Sequence, residues 1–124
     1  MPLSRTSLSK TVDLVQKGSA FLVTCHVRPD ADALGSAMGW ATILQSLGKR
    51  VALYSHKGVP THLQFLKGWE QVQATIPEGP YDGVFVMDAA AQELVPPLPP
   101  CDCGPVILVD HHSAHDDYGD VVLR

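Results

Sequence analysis

The chain has 124 residues, with 9 Lys and Arg against 13 Asp and Glu, for a formal charge of −4. A hydrophobic share of 45% with 18% charged residues is the composition of one globular domain, and the acidic balance argues against a coat for long nucleic acid or a basic membrane-surface protein. No apolar run approaches the roughly 20 residues of a membrane span. No apolar segment follows the polar stretch from Met1 to Lys10 as a secretory signal requires. Three cysteines do not make a disulfide framework, so the expected compartment is a reducing cytoplasm.

In chain order, Leu8, Val12 and Val15 recur at helical spacing and Gly18 follows as a stop. Ala20 to Cys25 is a continuous apolar and β-branched run, the pattern of a strand buried on both faces. Ala33 to Leu47 predicts a helix. Leu34, Met38, Ala41 and Leu44 form its apolar stripe, Trp40, Ile43 and Leu47 widen it, and Gly48 stands where a C′ glycine belongs. Gly35 and Gly39, four apart, are expected to let this helix approach the sheet closely. Arg50 to Tyr54 reads as the next strand, Thr61 to Leu66 as a short helix, and Val72, Ala74 and Ile76 as an edge strand. Gly83 to Met87 and Val106 to Val109 are two further strands, separated by a proline-rich loop over residues 95–100. Val121 to Leu123, at the end of the chain, also reads as a strand. Buried strands alternating with helices predict an α/β domain of three layers, a mostly parallel sheet with helices on both faces.

Three of these strands run into residues that bind metals. The first leads to Cys25-His26-Val27-Arg28-Pro29-Asp30-Ala31-Asp32, the second to Asp88, the third to Asp110-His111-His112. In a parallel sheet all three lie on the carboxyl edge, where open α/β sheets bind ligands. Carboxylate oxygens suit hard divalent ions, and imidazole adds a preference for a first-row metal such as manganese. Plainer readings stand beside this one. Asp32 precedes a helix and is a possible N-cap, Asp88 a possible turn residue, and His26 a possible satisfied polar group. Cys101-Asp102-Cys103 is too tightly spaced for a zinc knuckle. Cys25 reads as a buried apolar residue, His56 and His62 as surface positions, and Met38 and Trp40 as core.

The stretch from His26 to Ser36 resembles the first motif of the DHH phosphoesterase superfamily. Asp88 after an apolar strand resembles its second motif, and Val109-Asp110-His111-His112 its third. The nearest subgroup is the RecJ-like enzymes that cleave short oligonucleotides and 3′-phosphoadenosine 5′-phosphate. The resemblance implies two divalent ions, both Mn²⁺ by preference, with Mg²⁺ as the alternative. His26, Asp30 and Asp88 would hold one. Asp32, Asp88 and His111 would hold the other, with Asp88 as the bridge. His112 would contact the scissile phosphate, Asp110 would orient a histidine, and Arg28 would reach a phosphate. The implied partner is a small nucleotide or short oligonucleotide, not a long duplex and not a membrane.

The chain also departs from the family pattern. The fourth motif, which adds an aspartate to the second metal, does not follow the paired histidines. Asp116, Asp117 and Asp120 are the only later acids, and they stand too close to His112. The glycine-glycine-histidine motif of the family's C-terminal domain is also missing. Residues 1–124 are therefore expected to be a DHH-type metal-binding domain that stops before its last ligand, without the C-terminal substrate-binding domain. Two alternatives stay open: a catalytically incomplete metal- and nucleotide-binding module, and an inorganic pyrophosphatase of the same superfamily.

Overall fold

The computed structural model describes residues 5–88, 104–110 and 120–123. Along the chain these form α1 (Arg5–Lys17), β1 (Ala20–Cys25), α2 (Ala31–Ser46), β2 (Arg50–Leu53), 3-10 turns at Thr61–Leu63 and Trp69–Gln71, β3 (Gly83–Met87), β4 (Val106–Val109) and β5 (Val121–Leu123). The five strands pair in parallel in the order β2-β1-β3-β4-β5. Among the described residues no helix is long and apolar enough to cross a membrane.

The strands lack polar alternation because both faces of the sheet are covered. Phe21, Val23, Cys25, Phe85, Met87 and Ile107 pack under Ala33, Leu34, Ala37, Ala41 and Leu44 of α2. Leu22, Val84, Val86 and Leu108 point the other way and are also fully buried, beside Tyr54 and Tyr81. The architecture is the expected three-layer α/β domain. Phe85 anchors the α2 side, taking Phe21 and Trp40 edge-on at centroid distances of 5.7 and 5.1 Å.

Both ends of α2 are set by local chemistry. Asp30 caps the start, its Oδ1 accepting the Ala33 N–H at 2.8 Å. At the far end Gly48 adopts φ +81°. The Lys49 N–H then reaches the Leu44 carbonyl at 3.1 Å and the Gly48 N–H the Gln45 carbonyl at 3.0 Å, a Schellman closure.

Several expected details differ. The helix starts at Ala31 rather than Ala33, because Asp30 and not Asp32 is the cap. Gly35 and Gly39 do not face the sheet. Both are exposed, and a Cβ on either would meet nothing within 4 Å. Close approach comes instead from Ala33, Ala37 and Ala41, all at 2% exposure or less. Ile43 and Leu47 lie outside the packed stripe. On α1 the buried side chain is Thr11, while Leu8 and Val12 are partly exposed on an apolar cavity of about 480 Å³. Residues 61–66 give only a 3-10 turn, since so short a run does not repay helix nucleation. Residues 72–76 give one parallel bridge, Gln73 to Tyr54, instead of the expected edge strand.

Candidate metal centre

The strand order fixes where a ligand can sit. β1 is followed by β2 on one side, and β3 by β4 on the other, so the topological switch lies between β1 and β3. There Cys25 pairs with Met87, and Met87 with Val109 of β4. The next residues, His26, Asp88 and Asp110, therefore leave three level strand ends. The Asp88 N–H donates to the Val109 carbonyl at 2.8 Å and the Asp110 N–H to the Leu123 carbonyl at 3.0 Å. Both backbones are thus held by the sheet.

Asp88 has φ +61°, a left-handed conformation that Asp tolerates better than most residues but still at a cost. Such strain gathers at functional positions. Asp88 and Asp110 are only 7% and 5% exposed. With Ser36 of α2 they line a cavity of about 120 Å³ floored by Met87 and Val109. Two buried carboxylates around one small space make a focus of negative potential, and a divalent cation is its natural complement.

The loop after β1 is arranged differently. The Nδ1 of His26 accepts the Arg28 N–H at 2.9 Å, so that lone pair is already engaged. Asp30 commits Oδ1 to the α2 cap, and Asp32 is exposed in the first helical turn. Among the described residues no three His, Cys, Asp or Glu side chains stand close enough to hold a metal ion. The pair Asp88 and Asp110 is brought together, while His26 and Asp30 stay on the neighbouring loop and Asp32 on the first turn of α2. His111 and His112 lie outside the described residues, as do Cys101, Cys103, Asp116 and Asp117.

Cys25 ties the two parts together. Burial pushes its thiol up to about 12. A hydrogen bond with Ser55 opposes the rise, and the Asp88 and Asp30 carboxylates add to it. Both carboxylates therefore act on one sulfur at the end of β1. A thiol so raised is neutral near pH 7 and a poor nucleophile. The carboxylates and the imidazole that follow the strand ends are the donor set of a hard or borderline divalent ion.

A family model described as "DHH family, N-terminal domain" matches residues 20–123. The chain belongs to the DHH family. It is 30% identical over 118 residues to the bifunctional oligoribonuclease and PAP phosphatase NrnA of Bacillus subtilis, covering 95% of this chain and 36% of that protein. It is 33% identical over 104 residues to the protein of the same name from Thermus thermophilus, covering 83% of this chain and 31% of the relative. The DHH chain thus spans about a third of the length of these curated relatives. An exopolyphosphatase-related protein from Bacteroides fragilis shares the fold, with a TM-score of 0.78 at 18% identity over 97% of this chain and 38% of its own.

One lining residue was not singled out from the sequence. Ser36 follows Asp32 by one helical turn, and that spacing was the available signal for a side chain on the strand-end side of α2. Asp120 resolves a question of position. Its Oδ2 accepts the Val106 N–H at 2.7 Å at the start of β4, so it sits on the opposite edge of the sheet from the carboxylate pair.

Proposed function

We propose that this DHH domain carries the hydrolytic centre of a cytoplasmic phosphoesterase that uses two divalent ions, manganese before magnesium. Its substrate would be a nucleotide phosphoester, either a short oligonucleotide or a nucleoside 3′,5′-bisphosphate. The observation that carries the reading is the pair of buried carboxylates, Asp88 and Asp110, around one cavity at the switch-point edge. The names of the curated relatives, oligoribonuclease and PAP phosphatase, support the substrate class.

His26, Asp30 and Asp88 would hold one ion, and Asp32, Asp88 and His111 the other. Bound there, the ions supply Lewis-acid stabilisation of the charge that develops on the phosphoryl oxygens. The chain's own residues supply the frame. Asp88 follows a central strand paired on both sides, so its carboxylate is fixed before substrate arrives. Asp110, buried beside it, suits the task of orienting a histidine. His112 would touch the scissile phosphate, and the Arg28 guanidinium would bind a phosphate oxygen pair through its fork of donors. His26 must exchange the Arg28 N–H for a metal before it serves as a ligand through Nδ1.

That last requirement favours one second reading, a module that binds a single ion and a nucleotide without turnover. Calorimetric titration with MnCl₂, paired with hydrolysis assays on 3′-phosphoadenosine 5′-phosphate and a dinucleotide, separates the two. The enzyme reading expects about two ions per chain and metal-dependent product. One ion without product supports the module. No ion and no product would overturn both.

A further inference from the structure

Beside the metal-binding loop lies a second cavity of about 330 Å³, lined by Val27, Arg28, Pro29, His56, Lys57, Gly58, Pro60 and His62. No carboxylate contributes to its walls, although the chain as a whole carries a charge of −4. Among the described residues neither the Arg28 nor the Lys57 side chain has a hydrogen-bond or ion-pair partner.

The cavity is constructed, not a chance gathering of flexible cations. The Gly58 N–H closes a turn on the Ser55 carbonyl at 2.8 Å. Within that turn Lys57 adopts φ +65°. Lys57 and Asp88 are the two non-glycine residues with positive φ among those described, and both follow the carboxyl ends of strands. Glycine would be the unstrained choice at position 57, so lysine there costs stability for its charge. The Tyr54 hydroxyl lies 3.2 Å from Nδ1 of His56 and holds that ring. Buried Leu63 pins the 3-10 turn that carries His62.

We propose that this cleft is a second phosphate subsite, which holds the non-reacting phosphate of the substrate while the Asp88 edge faces the phosphate that is cleaved. The inference rests on the phosphoesterase reading for its substrate class. Its chemistry is independent of it: two permanent cations and two imidazoles around a space with no acid bind a phosphate dianion or diester. Arg28 belongs to the loop that also carries His26 and Asp30, so the two sites share a wall. A nucleoside 3′,5′-bisphosphate and an oligonucleotide both present a second phosphate near the first.

The test is a titration of the ¹⁵N-labelled chain with sodium phosphate and with adenosine 3′,5′-bisphosphate, in EDTA at fixed ionic strength, followed by NMR. The largest amide shifts are expected at Arg28, His56, Lys57, Gly58 and His62. Lys57→Gly should weaken the bisphosphate about tenfold, and its melting temperature should hold or rise because glycine accepts the turn without strain. A trinucleotide without terminal phosphates, which has two backbone phosphates, separates the two sources. Weakening shared by the trinucleotide assigns the cleft to a backbone phosphate, and weakening confined to the bisphosphate assigns it to a terminal one. Shifts confined to other residues, or unchanged affinity in a folded Lys57→Gly chain, overturn the proposal. Manganese-dependent hydrolysis on the same proteins keeps the two ideas apart. Cleft binding without turnover retains the subsite and removes the hydrolase. Turnover with an unchanged KM for the bisphosphate in Lys57→Gly retains the hydrolase and removes the subsite.

Discussion

The two edges of the sheet use the same residue types for opposite ends. At the amino edge, charged side chains are spent on backbone. Asp82 Oδ2 accepts the Ser19 and Ala20 N–H groups at 2.6 and 3.0 Å, and Asp120 accepts the Val106 N–H. Lys49 Nζ donates to the Gly18 carbonyl at 2.7 Å and Arg50 to the Pro80 carbonyl at 3.1 Å. At the carboxyl edge, Asp88 and Asp110 line one cavity and Arg28 and Lys57 another. Charge satisfied by orphan strand-end groups makes the amino edge a clasp. Charge lining cavities at the carboxyl edge is what the proposed function and the proposed subsite would use to receive ions of opposite sign.

The largest test of this contrast is Asp88→Asn. Asparagine keeps the shape and tolerates positive φ, but it removes half of the buried charge pair. Manganese affinity should fall by at least about a hundredfold, since even groups behind metal ligands reach that figure. The melting temperature of the metal-free chain should stay level or rise, because one of two buried carboxylates lining the same cavity loses its charge. A clear loss of stability would make Asp88 a structural residue like those at the other edge. Next in size is Gly104→Ala, at the amino edge. Gly104 has φ +70°, and a Cβ there would strike the Asp82 carbonyl group. A loss of about 2 kcal/mol is expected in denaturant unfolding, with manganese binding per folded chain unchanged.

The contrast also explains how much could be read in the sequence. β1, β3, β4 and β5 occupy the stretches expected, because a strand buried on both faces announces itself as an unbroken apolar run. The positions of Asp88 and Asp110 were legible for a related reason: they end such runs at the carboxyl edge of the sheet. The amino-edge clasp was not. Asp82 and Asp120 sit in loop-like sequence, and their partners are backbone N–H groups, which leave no mark on residue identity. The helix cap was misplaced for a third reason. Of two carboxylates two residues apart, Asp32 read as the possible cap, and only the Ala33 contact shows that Asp30 fills that place. His56 and His62 read only as surface positions, and Lys57 was not considered, because nothing local joins them to Arg28. The fold makes that cluster.

The smaller predictions probe the clasp by its pH dependence. The Ser19 N–H first, then the Ala20 N–H, hold the Asp82 carboxyl below the usual carboxylate range. A folded value below the unfolded one of about 3.9 stabilises the native chain at higher pH, and that contribution fades as pH falls through the depressed value. Asp82→Ala should therefore cost about 1 kcal/mol between pH 5 and 7, a modest figure because water reaches the group. The gap to the unaltered chain should narrow below about pH 4. A gap that widens on acidification would reverse the sign and discard the clasp. Asp120→Ala removes one acceptor rather than a doubly bonded one, so about 0.5 kcal/mol is expected. Neither change should move manganese affinity. If Asp120→Ala did weaken manganese, the acid just before β5 would belong to the metal centre after all, and the division between the two edges would fail at the one carboxylate after the paired histidines that is among the described residues.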